Sequence, residues 1–334
     1  MYKIGLDIGY GNTKVVTEKG NKICFPSLAE LGDKIDSNDT LSASGDYAAT
    51  INGQTWYVGH MAIKENRFAV RAFKESQRLS DPAFQAMFAT ALAAVSSDNQ
   101  QDIFLVTGLP LASYTNTGKE FQKSLSNFTA TVEIKGVEKN IAIKQVHIFP
   151  QAAGIFMNPD CEHFKQSIKP GDLVTVIDIG YRTTDVATFR YNESEEFEFV
   201  IKNSFTLDTG MVSVFREIAN RIIKDTDSLD VSFESAERTF LTGICRVDGL
   251  DKDYGDINRL VAQKTVGVIA EEFRQRGPGK EAVNHIIMAG GGSIALKNEL
   301  SLAFPKAVFM EDAQFANAIG FLEVARKLDI VLFD

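Results

Sequence analysis

Long hydrophobic runs are missing from this sequence of 334 residues: its most apolar stretch, Phe84–Val95, is too short to cross a bilayer, so no membrane helix and no membrane partner are expected. Cysteine is scarce. Cys24, Cys161 and Cys245 stand far apart with no C-x-x-C pair, which argues against a disulfide framework and against zinc-type spacing. An excess of positive charge is also missing, since 35 Lys and Arg face 44 Asp and Glu for a formal net charge of −9. That balance repels nucleic-acid phosphate, so no direct nucleic-acid binding is expected. The opening MYKIGLDIGY carries no basic stretch followed by a long apolar core and a small-residue cleavage site, and the expected location is cytoplasmic. Two phosphate signatures are absent: no G-x-x-x-x-G-K-[ST] occurs, and GYGNTK lacks the third glycine of the dinucleotide fingerprint. A P-loop or Rossmann enzyme is disfavoured. The histidines His60, His147, His163 and His285 show no i,i+4 pairing and read as structural or exposed.

What is present reads as an α/β protein of two domains. Hydrophobic residues make up 44% and charged residues 24%, the composition of an ordinary globular chain. Short apolar runs at Lys3–Ile8, Ile103–Thr107, Lys144–Phe149, Leu173–Ile179 and Ile286–Ala289 lack strict alternation, which suits strands buried on both faces of a mainly parallel sheet. Helical periodicity separates them at Asp81–Val95, with Asp81 as cap and Pro82 in the first turn, and at Gly210–Lys224 and Leu260–Arg276. Asp33–Gly59 reads as loop-rich, and Thr129–Lys144 as an antiparallel hairpin whose Lys135, Lys139 and Lys144 form a solvated face. The breakers Asn158-Pro159 and Lys169-Pro170-Gly171 mark the domain boundary, which places residues 1–157 in the first domain and 158–312 in the second.

One pattern occurs twice. Ile4–Lys14 reads IGLDIGYGNTK and Val176–Val186 reads VIDIGYRTTDV: an apolar strand, Asp-Ile-Gly-Tyr, then a polar turn with threonine. Such a turn lies at the carboxyl end of its strand, where open α/β sheets bind ligands. An aspartate there can hold Mg²⁺ through water, and the glycine and the following N–H groups can receive phosphate. A third segment, IIMAGGGSIAL at Ile286–Leu296, runs a strand through three glycines into a helix, which lets a flat base or ribose approach the backbone. The same glycines also suit a close helix–strand turn.

These residues resemble the actin, sugar-kinase and heat-shock-chaperone ATPase superfamily, with Asp7–Lys14 and Asp178–Asp185 similar to its two phosphate motifs and Met288–Ser293 to its adenosine motif. HIFPQAAG at His147–Gly154 and QFANAIG at Gln314–Gly320 resemble its connecting segments. Within it, LPLASYTN at Leu109–Asn116, Pro150-Gln151 and Leu207–Val214 are similar to the plasmid-partition actins of the ParM/StbA type and their archaeal relatives. The resemblance implies two actin-like domains with duplicated RNase H-like mixed sheets flanked by helices, a nucleotide cleft between them, and residues 313–334 packing back onto the first domain. It implies ATP or GTP with Mg²⁺ as cofactors, a head-to-tail filament of the chain with itself, and a DNA-binding adaptor protein as partner.

By the same resemblance Asp7 and Asp178 hold magnesium through water. Gly9, Tyr10, Gly11, Asn12, Thr13 and Lys14, with Gly180, Tyr181, Arg182, Thr183 and Thr184, receive phosphate. Gln151 orients the attacking water. Gly210, Gly290, Gly291, Gly292 and Ser293 contact the nucleoside, with Glu237 and Arg238 flanking the base. Tyr10 departs from the family, standing where actin and ParM proteins carry a small hydroxyl residue. Gln151 agrees with actin, whereas the ParM type carries Glu there. A small-molecule kinase of the same superfamily and a non-polymerising nucleotide-binding scaffold are the alternative readings.

Overall fold

The computed structural model describes residues 1–33, 46–65, 80–97, 99–162, 166–194, 196–226, 231–279 and 283–331. The chain divides into two compact units, Met1–His163 with Phe315–Asp334, and Phe164–Gln314.

The first unit is built on β1 (Tyr2–Ile8), β2 (Asn12–Thr17), β3 (Lys22–Pro26), β4 (Ala29–Leu31), β5 (Asp46–Ile51), β6 (Gln54–Gly59), β7 (Gln100–Leu109), β8 (Thr129–Ile134) and β9 (Val137–Pro150). They form one sheet in the order β3-β2-β1-β7-β9-β8-β5-β6-β4, in which β1, β7 and β9 run parallel. Its helices are α1 (His60–Glu65), α2 (Pro82–Val95), α3 (Leu111–Leu125), α4 (Ala153–Phe156) and, returning from the far end of the chain, α10 (Ala316–Val331). Asp81 caps α2 by accepting from the Ala83 N–H at 2.9 Å, and Pro82 needs no partner in the first turn.

The missing alternation in the strand runs now has its cause. In β1, Tyr2, Ile4, Leu6 and Ile8 join the core under α2, while Gly5, on the other face, lies against Ala318 and Leu322 of α10. In β7, Ile103 and Leu105 face the α2 side and Phe104 and Val106 the α10 side. Both sheet faces are covered, so both carry apolar residues. Burial of side chains such as Phe84, Phe88 and Leu92 of α2 contributes about 1.5–3 kcal/mol each.

Two expectations are corrected here. Part of Asp33–Gly59 is the β5–β6 hairpin, closed by Asn52 and Gly53 at positive φ, and residues 34–45 of that stretch lie outside the described residues. Its polar composition hid a sheet whose partner strand β8 comes from far along the chain. The Thr129–Lys144 hairpin is present, with β9 running on to Pro150, but Lys139 does not point to solvent: its Nζ donates to Ala93 O at 2.9 Å and Ser96 O at 2.6 Å. It closes the carboxyl end of α2, where carbonyls lack helical partners.

The second unit repeats the first unit's strand order. Its sheet is β12 (Phe197–Phe199), β11 (Thr184–Tyr191), β10 (Leu173–Ile179), β16 (Val283–Ala289) and β17 (Ala307–Phe309), with β13 (Phe205–Leu207) against β11. The order β12-β11-β10-β16-β17 matches β3-β2-β1-β7-β9 in direction as well: two antiparallel neighbours, then two parallel ones. Around it lie α5 (Met211–Thr226), α6 (Phe233–Thr242), α7 (Gly255–Arg276), α8 (Gly291–Ala295) and α9 (Lys297–Ala303), with a separate ribbon of β14 (Ile244–Val247) and β15 (Leu250–Asp253). The fold class is α/β with a duplicated mixed sheet, as expected.

Candidate functional site

In the first unit, β1 brings Asp7 to the carboxyl end of a strand whose neighbour β7 is parallel, and the Gly9 N–H closes the turn on Asn12 O at 3.1 Å. Lys14 stands across the ladder from Asp7 and returns its Nζ to Asp7 Oδ2 at 3.0 Å. A Cβ at residue 9 would lie 3.2 Å from that Nζ, so glycine gives the lysine its path. Gln151, at the end of β9, donates Nε2 to Asp7 Oδ1 at 2.9 Å and is itself buried. Asp7, Lys14 and Gln151 therefore form one cluster. The Gln151 amide donates through Nε2, with Asp7 Oδ1 as the acceptor, and its own oxygen keeps its acceptor capacity.

Tyr10 packs part of its ring on the first unit's core, and Tyr181 does the same in the second, 6.2 Å from the Phe215 centroid. The two tyrosines of the repeated motif thus anchor their turns. Gly11 accepts from the Ser27 N–H at 3.0 Å, and Thr13 is fully buried with its hydroxyl 3.0 Å from Ser27 Oγ. Thr184 is likewise buried, its hydroxyl donating to Thr209 O at 2.7 Å. Both hydroxyls thus fasten their turns from inside. Asn12 and Thr183 are each half-buried at their turns.

In the second unit Gly180 N–H donates to Thr183 O at 2.9 Å, and the ladder places Asp185 opposite Asp178, where the first unit has Lys14 opposite Asp7. The repeat therefore preserves backbone and reverses one charge. Asp185 is buried and accepts from the hydroxyls of Thr183 and Thr206. Arg182 pairs with Asp208 at 3.3 Å, both side chains largely exposed. Gly210 sits hard on the turn, since a Cβ would lie 2.6 Å from Arg182 C and 2.7 Å from Tyr181 O. Its neighbours donate into the same turn, Met211 N to Gly180 O at 3.2 Å and Val212 N to Tyr181 O at 2.7 Å. That packing alone accounts for a glycine at 210.

The three consecutive glycines separate into two kinds. Gly290, with φ of 80°, would put a Cβ 2.3 Å from Asp178 Oδ1, and Gly292 would put one 2.4 Å from Ile179 Cγ2. Gly291, exposed, would place its Cβ in open space. Packing explains the outer two and leaves the middle one without a protein contact that demands glycine. Ser293 is buried and donates its hydroxyl to Gly290 O at 2.8 Å, closing the start of α8. Glu237 and Arg238 lie on α6, the first half-buried and the second exposed.

Sequence reasoning missed Asn317 of α10, whose Oδ1 accepts from the Ala152 N–H at 3.1 Å beside Gln151, and Ser27 behind the first turn. Neither lies in a phosphate motif, although Asn317 does fall within the QFANAIG segment. Cys24 stands opposite Lys14 in the β2–β3 ladder; burial pushes its thiol up, with Lys14 pulling down and Asp7 pushing up. It stays a protonated, weak nucleophile. His147 packs on Phe104 and burial pushes its pKa down, His285 lies 3.9 Å from Asp172, His60 is exposed, and His163 lies outside the described residues.

Residues 5–154 match the family described as actin-like proteins N-terminal domain, and residues 176–302 the archaeal actin homologue MreB-like C-terminal domain. Both matched segments carry one of the repeated turns. The chain belongs to the actin-like proteins. This actin-like protein is 26% identical over 339 residues to an archaeal actin homologue of Thermoplasma acidophilum, covering 98% of this chain and 99% of that one. Its fold is similar to that of a chain from a 15-stranded ParM filament of Clostridium botulinum, with TM-score 0.86, 22% identity and coverage of 98% and 99%. It is also similar to that of an archaeal actin homologue in complex with ADP, with TM-score 0.77, 24% identity and coverage of 98% and 100%. No helix among the described residues is long and apolar enough to cross a membrane.

Proposed function

We propose that this actin-like protein binds Mg-ATP through residues of both units, assembles head to tail with copies of itself, and hydrolyses the nucleotide within the filament, positioning DNA, such as a plasmid, through a DNA-binding adaptor. The observation that carries the reading is the repeated strand–Asp-Ile-Gly-Tyr turn, with Asp7 clasped by Lys14 and Gln151 in one unit and Asp178 set against Gly290 in the other. Support comes from the two similar proteins, one solved with ADP and the other as a filament.

The donor set suits magnesium. Among the described residues no three His, Cys, Asp or Glu side chains group into a protein cage, whereas magnesium keeps several waters and needs only one or two carboxylates beside phosphate. Asp7 and Asp178 would hold it through water. Bound there, the ion would supply positive charge that offsets the negative charge developing on the phosphate oxygens. Lys14 adds positive charge, backbone N–H groups of the two turns receive oxygens, and the Gln151 amide aligns water.

Pelleting with Mg-ATP, and separately with Mg-GTP, at rising protein concentration tests the assembly, with phosphate release followed in the same samples. A threshold concentration with phosphate release is expected. Turnover without a threshold would indicate a small-molecule kinase or an unassembled ATPase, and nucleotide binding with neither would leave a scaffold.

Two substitutions probe the halves of the second-unit site. Asp178→Ala should raise the magnesium concentration needed for half-maximal turnover by about tenfold, the usual cost of losing an outer-shell partner. Unchanged magnesium titration of phosphate release would remove Asp178 from the site. Gly291→Val should keep the wild-type Tm, because its Cβ meets no protein atom, yet weaken nucleotide affinity about tenfold by intruding on the ligand. Wild-type affinity in that variant would place the base elsewhere.

A further inference from the structure

The residue that follows Gln151 is in a conformation that L-amino acids avoid. Ala152 has φ 65° and ψ −39°, and its side chain is buried, so solvent does not relieve the strain. Strain of this kind persists only where the surroundings over-determine it. Three contacts do so. The Gln151 N–H donates to Leu109 O at 2.8 Å, which extends the β7–β9 ladder to the last residue before the kink. The Ala152 N–H donates to Asn317 Oδ1 at 3.1 Å, a bond between residues 165 apart in sequence. One turn further along α10, Gly320 packs directly on the Gly154 carbonyl, so the helix that carries Asn317 cannot slide relative to the kink.

The kink has a visible product. After it, the chain turns out of β9 into α4, and the Gln151 side chain is left pointing back at Asp7, with Gly108 opening the path: a Cβ at residue 108 would lie 3.1 Å from Gln151 Cγ. The Ala152 N–H belongs to the peptide plane that leaves the Gln151 Cα, so the bond to Asn317 fixes the plane on one side of that Cα while the ladder bond of the Gln151 N–H fixes the plane on the other.

We propose that Asn317 is a positioning residue for Gln151: by accepting from the Ala152 N–H it holds the strained turn that aims the Gln151 amide at the Asp7 end of the site. The catalytic part of this statement rests on the function proposed above. The positioning part does not, because it concerns a geometry that exists without nucleotide. Asn317 itself touches neither phosphate nor water in this scheme; it acts through the backbone of residue 152.

The test pairs Asn317→Ala with Ala152→Gly. Glycine adopts positive φ without the steric penalty of a Cβ, so it can keep the kink when the asparagine is gone. Asn317→Ala should hold nucleotide affinity within about threefold and slow single-turnover phosphate release about tenfold, since ground-state contacts survive while the reacting geometry is lost. Asn317→Ala/Ala152→Gly should recover most of that rate. A merely structural asparagine would lower affinity and rate together, and glycine at 152 would restore neither, which would overturn the proposal. Should Asn317→Ala fail to fold, the double variant, with its strain relieved, must fold and turn over; if it does not, the proposal falls.

Amide NMR separates this inference from the functional one. The Gln151 side-chain NH₂ resonances should shift in Asn317→Ala and return in the double variant, in protein without nucleotide. If they do so while the wild type hydrolyses nothing, the positioning stands and the ATPase reading fails. Unmoved resonances in Asn317→Ala sink the positioning whatever the turnover.

Discussion

Gln151→Ala is expected to bind Mg-ATP within about threefold of wild type and to release phosphate about 100-fold more slowly, the scale on which misplacement of a reacting group is felt. The reason lies in what the side chain touches. Its Nε2 spends its bond on Asp7 Oδ1 at 2.9 Å, while Lys14 occupies Oδ2 at 3.0 Å, so truncation leaves the lysine–carboxylate pair in place. Ground-state binding survives on that pair and on the backbone of the turns. On the proposed function, what disappears is the amide that would align water, an interaction realised in the transition state, and loss of such an interaction lowers the rate rather than the affinity. If the chain assembles as proposed and its disassembly follows hydrolysis, the variant should form filaments that persist. Phosphate release and filament lifetime measured together check both steps: rapid release would take Gln151 out of the mechanism, and slow release with a normal lifetime would uncouple chemistry from assembly.

Gly320→Ala should destabilise the protein by about 3 kcal/mol or more, at the upper end of what overpacking costs. Local propensity argues for the opposite outcome, because glycine inside a helix is worse than alanine by about 1 kcal/mol. Tertiary contact decides. A Cβ at residue 320 would stand 1.8 Å from Gly154 O and 2.6 Å from Gly154 C, and these are backbone atoms that no rotamer change can move. Gly5 makes a matching contact two residues earlier on the same helix, where a Cβ would meet Ala318 O at 2.0 Å. α10 is thus seated on β1 and α4 through glycine, and one methyl group forces them apart. A urea midpoint at or above wild type would contradict this packing. Because Asn317 and Gln151 flank the same contact, the variant should lose turnover along with stability.

Much of the site was legible as a repeat. Asp7 and Asp178 stand at equivalent strand ends because an apolar run stopped by Asp-Ile-Gly-Tyr is the same instruction twice, and the two sheets carry it out with the same strand order. The charge reversal between Lys14 and Asp185 was in the sequence too, but its meaning needed the ladder register that places each opposite its aspartate. Thr13 and Thr184 stand in polar turns, and only burial shows that their hydroxyls face Ser27 and Thr209. Lys139 misled, since an alternating polar strand gives no sign that a helix end lies above it.

The sequence by itself determined the α/β class, the two strand–turn–strand units and the positions of their aspartates, because strand and turn preferences act over a few neighbouring residues. It also set the cap of α2, where Asp81 and Pro82 need only each other and the first turn. Only the tertiary structure decided which glycines serve packing and which leave space, for Gly290, Gly291 and Gly292 are identical in sequence and differ only in what a Cβ would meet. It likewise brought Asn317 to Ala152 and Gln151 to Asp7, pairs 165 and 144 residues apart. No local preference encodes such pairs; they arise when α10 returns to the sheet of the first unit and buries Phe321, Leu322 and Ala325 against it. The energy of that burial, gathered along a whole helix, is what holds a single strained residue next to Gln151.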